Sequence, residues 1–440
     1  MILLLGPAAQ AQIALGGQPL PGLPGGLPGG VELPFGAQQT LGALTGEAGR
    51  LADARASRLL QIRLLLRRHA DVLEADPSGN PIVRGEVLAF SPTDAALARA
   101  RGAGFSIVRE RSLGTLGIHL VVLGVPRGTA TSRALSLLRG LDPAGTYDFN
   151  NIYTESGVSG GAVAVSPGVG GTRRVNAAPL GLVDGGVGTG QAVLAGIVIQ
   201  RHGCGGAVVP SAHGTEVASL MVGRSARFGG AAPGAALYAA DVFCGRPTGG
   251  AVEAIAEALE WLAGQGVPVI NVSLVGPPNA LLQQVVALMV ARGFLIVAAV
   301  GNDGPAAPPL YPAAYPGVVG VTAVDARRRV IFEAERGPQV MFAAPGADIP
   351  AATLPDGFEK VRGTSFAAPL VAGLLAERLG SADSASGTVP SSPPNPAAAH
   401  AAVDALARSA AHLGAPGRNV VFGYGLVGAG LPSPRPVPGK

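Results

Sequence analysis

The chain reads as an α/β protein: a parallel sheet with helices on both faces, preceded by a smaller α+β unit. From about residue 180 to 428, near-continuous apolar segments such as Val267–Leu274 and Phe294–Gly301 alternate with amphipathic stretches of helical length, the pattern of strands buried on both faces. Before them, residues 85–153 carry shorter segments in the order strand, helix, strand, strand, helix, strand. The 440 residues exceed the needs of one ordinary domain, and 48% apolar against 14% charged residues excludes a wholly disordered chain. Aromatics are only 4%, while glycine (67) and proline (38) abound, so the core rests on Val, Leu, Ile and Ala between many tight turns.

The start, MILLLGPAAQAQ, is a short apolar run followed by small residues, and residues 1–14 read as the back half of a secretory signal without its basic front. Residues 15–46, with PLPGLPGGLPGG, cannot hold a packed core and read as linker. A helix is expected over 47–73, with Leu51, Leu59, Leu60, Ile62, Leu65 and Leu66 as an irregular apolar stripe. GEVLAF, FSIVRE, GIHLVVL and TYDFNNIY are then strands, and TDAALARAR and TSRALSLLRGL helices, the order of a ferredoxin-like unit ending near residue 155. The Gly/Ser/Val-rich stretch 156–179 reads as an exposed connection. The larger unit spans 180–432, with strands LGLVD, ALYAADVF, VPVINVSL, FLIVAAVG and VVGVTAV and helices EAIAEALEWLAG and NALLQQVVALMVARG. Residues 380–397 read as a low-complexity loop and 433–440 as a tail.

The net charge is +4, and Lys360 and Lys440 are the only lysines. No basic cluster with interleaved aromatics stands out, so a nucleic-acid partner is not supported. Six arginines between Arg50 and Arg68 read as a solvated helix face. The most apolar stretch, Val285–Val300, is broken by Arg292 and Gly293, short of the ~20 residues a membrane span needs.

Chemistry concentrates in four segments. GLVDGGVG puts Asp184 at the exit of a buried strand. SAHGTEVASL puts His213 where a loop enters a helix. LIVAAVGNDGP leaves Asn302 just past a strand. RGTSFAAPLVAG starts a small-residue helix at Ser365, and a helix amino end offers free N–H groups to an oxyanion. Each alone has an ordinary reading as a turn, a structural histidine or a helix cap. Together they supply a hydroxyl nucleophile, an imidazole base, a carboxylate to orient it and an amide for developing charge.

On these motifs, with HGTEVA and GTSFAAP the most specific, residues 180–427 resemble the subtilisin-like serine proteases. The resemblance implies a subtilisin-like parallel sheet in which Asp184 orients, His213 is the general base, Ser365 attacks a peptide carbonyl, and Asn302 with the Ser365 N–H forms the oxyanion hole. It also implies that Ser273, Leu274, Val275, Gly276, Ala299, Val300 and Gly301 hold an extended substrate and wall its main pocket. The preceding unit resembles a subtilase propeptide, an intramolecular chaperone and inhibitor cleaved somewhere in 150–165.

Gly185 stands where the family usually has Ser or Thr, Glu216 where a second histidine is common, and Val275 where glycine is common. Val275 narrows the pocket against bulky aromatics. The loop GRSARFGGAAPG lacks acidic or amide residues, so no calcium loop is supported there. GVSGG at Gly157–Gly161 matches an esterase elbow, but no strand leads in, and GYGLVG at Gly423–Gly428 has too little chain after it for a dinucleotide site. His202, Cys204, His213 and Cys244 fit no common zinc spacing; export lets Cys204 and Cys244 pair, and a disulfide is the expectation.

The expectation is a secreted or periplasmic serine endopeptidase acting on protein or peptide substrates, made as a proenzyme whose prosegment is its own inhibitor, with no cofactor or metal called for. The alternatives are a catalytically silent peptide-binding module of the same fold and a small-molecule esterase or amidase.

Overall fold

The computed structural model describes residues 56–162, 176–226, 228–380 and 393–432, so the expectations for 1–46 and 433–440 lie outside the described residues. The described chain opens with helix α1 (56–68) and strand β1 (Leu73–Ala75). There follow β2 (Pro81–Phe90), α2 (Asp94–Gly102), β3 (Ser106–Leu113), β4 (Ile118–Gly124), α3 (Thr131–Leu141) and β5 (Thr146–Glu155). These strands lie antiparallel in the order β5-β2-β4-β3. Alternation sorts the side chains between two faces. Val87, Ala89, Val121, Leu123 and Tyr147 meet Leu97, Ala100, Ala134, Leu135 and Leu138 of α2 and α3. Leu88, Leu120, Val122 and Tyr153 point the other way, into the larger unit.

A short strand β6 (Val158–Ala162) comes next, where the sequence reads as open connection. Its Gly/Ser composition carries no apolar alternation; it is a strand because a later strand, Phe358–Arg362, offers it an edge. The larger unit runs β7 (Leu180–Asp184), β8 (Ile199–His202), α4 (Ala212–Val222), β9 (Leu237–Asp241), β10 (Gly250–Ala251), α5 (Val252–Gly264), β11 (Val269–Val272), β12 (Leu274–Val275), α6 (Ala280–Ala291) and β13 (Leu295–Ala299). It ends with β14 (Val319–Val324), β15 (Val340–Pro345), β16 (Ala347–Ala352), β17 (Phe358–Arg362), α7 (Thr364–Gly380) and α8 (Pro396–Ser409). The low-complexity loop is therefore shorter than 380–397 at both ends, since Gly380 and Pro396 are helical; 381–392 lie outside the described residues.

Seven parallel strands form the central sheet in the order β15-β14-β13-β11-β7-β9-β8. Leu180, Leu182, Val297 and Val321 pack against α4 and α7 on one face; Val183, Ile270, Val272 and Ile296 meet α5 and α6 on the other. The order steps from β7 to β9 on one side and to β11 on the other, so the carboxyl end of β7 sits at a topological switch point, where such sheets place their sites.

The small unit is seated on α5 and α6 by its apolar face and by polar ties. Arg109 bridges Glu86 and Glu253, with Nε donating to Glu253 Oε1 at 2.6 Å and Nη1 to Glu86 Oε1 at 2.7 Å. Asp148 Oδ2 accepts from the Ala280 N–H at 2.7 Å, a carboxylate at the amino end of α6, and Glu260 Oε1 accepts from the Thr115 N–H at 2.6 Å. Arg58 of α1, expected on a solvated face, is instead largely covered: Nε pairs with Asp303 at 3.0 Å and Nη1 donates to Thr154 Oγ1 at 3.3 Å.

Candidate active site

Asp184 ends β7 and is fully buried. Its Oδ1 accepts from the Gly185 N–H at 2.7 Å and from His213 Nδ1 at 2.9 Å. A carboxylate can only accept, so Nδ1 carries a proton in either charge state, and Nε2 is the lone-pair nitrogen once the imidazole is neutral. His213 is the second residue of α4, and Ser211 caps that helix by accepting from the Gly214 N–H at 2.9 Å. The cap explains Gly185: a Cβ there would collide with the Ser211 side chain.

Burial pulls the His213 pKa down, but the carboxylates of Asp184, Glu155 and Glu216 outweigh it and hold the imidazole up at about 9. One oxygen each of Glu155 and Asp184 and a ring nitrogen of His213 lie within 4.8 Å of one another. The His213 Nε2 has no hydrogen-bond partner among the described residues.

Ser365 is the second residue of α7, and its burial is complete. Gly363 before it has φ +145°, and a Cβ there would lie 2.8 Å from Gly157 Cα and 2.9 Å from the Ser156 carbonyl oxygen. Pro369, one turn on, has no N–H to give to the Ser365 carbonyl. Ser273 Oγ supplies the missing donor at 2.8 Å and accepts in turn from Asn271 Nδ2 at 2.9 Å. A proline inside the helix thus ties the Ser365 turn to the strand beside it.

The cleft is filled by the chain itself. β5 enters as a strand between two short partners: Glu155 and Thr154 pair with Leu274 and Val275 of β12, and Tyr153 and Ile152 with Gly250 and Ala251 of β10. Tyr153 is wholly buried, its hydroxyl donating to the Pro277 carbonyl at 2.6 Å, and its ring lies where a Cβ on Gly276 would be. The Ser156 carbonyl oxygen then accepts from Asn302 Nδ2 at 2.8 Å and from the Ser365 N–H at 3.3 Å, and Ser365 Oγ donates to it as well. Beyond it, β6 pairs with β17, Arg362 opposite Val158 and Val361 opposite Ser159, and Ser159 Oγ donates to Glu216 Oε2 at 2.8 Å. Chain therefore runs through the site on both sides of Ser156.

Asn302 and Ser365 thus meet on the Ser156 carbonyl, Asp184 and His213 pair with each other beside the Glu155 carboxylate, and Ser365 gives its hydrogen bond to that carbonyl and not to His213. Of the residues expected to hold substrate, Leu274 and Val275 pair with β5 and Gly276 floors Tyr153, whereas the Ser273 side chain turns to α7. Ala299 and Val300 are buried in the sheet, with the Val300 N–H on Val321, and the Gly301 N–H goes to Thr364 Oγ1 at 3.2 Å. The second strand flanking β5 is Gly250–Ala251, a two-residue segment too short to leave a periodic signal. The esterase-elbow decoy also needs correction, because a strand, β5, does lead into Gly157–Gly161. Cys204 and Cys244 form a disulfide, with Cα atoms 5.2 Å apart.

Glu335, which no motif marks, is fully buried behind Gly301. Its backbone N–H donates to the Gly301 carbonyl at 3.1 Å and its Oε2 accepts from the Leu310 N–H at 3.1 Å, while Oε1 has no partner among the described residues. Burial first, then the neighbouring Asp303, push its carboxyl up to about 9.

A parallel sheet with a buried carboxylate–imidazole pair at its switch point and a serine at a helix amino end defines the class as α/β with a candidate site at the carboxyl ends of its strands. The sequence profile described as the subtilase family matches residues 209–425, just under half of the chain. Asp184 precedes the matched range. The chain is 38% identical over 167 residues to Subtilisin BL of Lederbergia lenta, covering 37% of this chain and 61% of that one. It has the same identity over 167 residues to the M-protease of Shouchella clausii (strain KSM-K16), covering 43% of it, and is 30% identical over 218 residues to the minor extracellular protease Epr of Bacillus subtilis (strain 168), covering 32% of it. The matches thus span from 32% to 61% of the length of these relatives. The crystal structure of fervidolysin from Fervidobacterium pennivorans, described as a keratinolytic enzyme related to subtilisin, shares the fold, with TM-score 0.62 and 20% identity over 81% of this chain and 62% of that one.

Proposed function

We propose that the protein is a secreted serine endopeptidase made as a proenzyme, in which residues up to Ser156 are the inhibitory prosegment and Ser156–Gly157 is the bond it cuts in itself. The observation that carries this reading is the Ser156 carbonyl, held at once by Asn302 Nδ2 and the Ser365 N–H with Ser365 Oγ against it. Two donors converging on one carbonyl oxygen suit an oxyanion, and each such donor supplies ~3–4 kcal/mol of transition-state stabilisation.

In the proposed reaction His213 Nε2 takes the proton of Ser365 Oγ as Oγ bonds to the Ser156 carbon, and Asp184 steadies the imidazolium through Nδ1. The oxyanion collapses, the bond to the Gly157 nitrogen breaks, and that nitrogen leaves with the proton from Nε2. Water then hydrolyses the ester by the same route. Before the cut, the Ser365 proton is directed to the Ser156 oxygen and His213 is held protonated by three carboxylates, an arrangement suited to an inhibited precursor. The disulfide and a relative named as an extracellular protease support export.

The test is full-length wild type beside Ser365→Ala, followed by gel and N-terminal sequencing, with a fluorophosphonate probe on the product. A new amino terminus at Gly157, labelled Ser365 and an uncut variant are expected. Wild type that neither cuts itself nor labels once the prosegment has been removed overturns the reading.

A further inference from the structure

Gly157 occupies the position after the proposed cut bond, and its surroundings leave no room for a side chain. A Cβ built there would lie 2.5 Å from Ser365 Oγ, 2.6 Å from Phe366 Cε2 and 3.3 Å from the Arg362 carbonyl oxygen. These three obstacles differ in how far they yield. Ser365 Oγ is the end of a short side chain and gives by a small rotation while staying on the Ser156 carbonyl. The Arg362 carbonyl is backbone, but its distance needs only a few tenths of an ångström. The Phe366 ring edge is the hard wall: the side chain is fully buried, packs in the core of α4 and α7, and rests against the His213 ring at 5.2 Å between centroids.

Glycine is not there for its backbone, because Gly157 lies outside the left-handed region where other residues are strained. Nor can the segment slide away from the ring. Ser156 is pinned by the oxyanion donors on one side, and the pairing of Val158 with Arg362 sets the register on the other. The cavity bordering Glu155 and Gly157 is lined by residues such as Val209 and Phe243 and not by Ser365, Phe366 or Arg362, the residues that a Gly157 Cβ would meet.

We propose that Phe366 is a specificity-determining residue that restricts the position after the cut bond to glycine, so that the mature enzyme cleaves peptides at X–Gly bonds. This rests on the endopeptidase reading above. The substrates it selects are Gly-rich segments like its own Ser-Gly-Val-Ser-Gly-Gly, extended enough to add a strand to β17.

The experiment has two arms. Self-processing is timed in the full chain for Gly157 and Gly157→Ala, each with Phe366 and with Phe366→Ala. Mature wild type and mature Phe366→Ala are given peptides that differ only in Gly, Ala or Leu after the cut, so that the second arm needs no altered prosegment. The expected Gly-over-Ala rate ratio is roughly 10- to 100-fold with Phe366, the range that inserting a methyl into a rigid wall produces. It falls to within a few-fold in the Phe366→Ala background. Equal rates for Gly and Ala in wild type overturn the inference, as does a ratio that Phe366→Ala leaves unchanged. Both results would come from an enzyme that cuts peptides and labels at Ser365, and so leave the endopeptidase reading standing; an unlabelled, inert protein sinks both.

Discussion

Asn302 Nδ2 donates to the carbonyl oxygen of Ser156 at 2.8 Å and to its Oγ at the same distance, joining residues 146 positions apart. The Asn302 Oδ1 meanwhile accepts from the Thr364 N–H at 3.1 Å, so the amide is oriented by the helix that carries Ser365. The group that would hold the oxyanion is therefore already aimed before any charge develops.

Asn302→Ala removes that donor. Self-processing should slow by ~10²–10³-fold with the fold retained, measured as the rate of appearance of the Gly157 terminus against unchanged circular dichroism. A loss of less than about fivefold would deny Asn302 this part.

His213 can accept a proton only when neutral, and in the uncut chain its pKa is about 9. Self-processing should therefore accelerate as pH rises and level off above about 9. Glu155→Gln removes one of the carboxylates that stabilise the imidazolium, so the midpoint of the rate profile should move to lower pH, by about one unit. Asp184 and Glu216 remain in both proteins and set the floor. A midpoint that does not move would show that Glu155 is not felt by the imidazole.

Glu335 has a folded pKa raised by burial to about 9, against an ordinary value near 4.5. The folded state then holds the proton more tightly than the unfolded chain, so stability is complete below about 4.5 and falls as pH rises toward 9. The slope is that of one proton, about 1.4 kcal/mol per pH unit. Glu335→Gln should flatten this decline in thermal melting recorded from pH 5 to 9. Parallel curves for the two proteins would refute the assignment.

Ser273→Ala leaves the Ser365 carbonyl without a donor, at a cost of ~1–3 kcal/mol. Pro369→Ala in the same chain restores an N–H one turn along α7 and should recover part of the loss. Equal melting temperatures for Ser273→Ala with and without Pro369→Ala would break the link drawn here between proline and serine.

Some of this was legible from the residues alone. The apolar runs around Leu180, Ile270 and Ile296 mark strands buried on both faces, because only helices on either side can cover such runs. Asp184, His213, Asn302 and Ser365 each stand in short motifs at strand exits or helix starts. Other features carry no local signal. Strand β6 is Gly/Ser-rich and exists through its pairing with β17, and Gly250–Ala251 flanks β5 with two residues. Glu335 comes from a loop remote in sequence from Gly301, and Arg58 is covered only because Asp303 and Thr154 meet it.

What the residues determined by themselves is the type of chemistry and the kind of sheet that carries it, since strand period, helix starts and the need for a nucleophile with a base are local facts. Tertiary structure alone decided which peptide lies against Ser365. That choice depends on the register of β5 between β10 and β12, on the pull of β17 on β6, and on the distance from a Gly157 carbon to a Phe366 ring edge, relations between segments that are set only when the core closes.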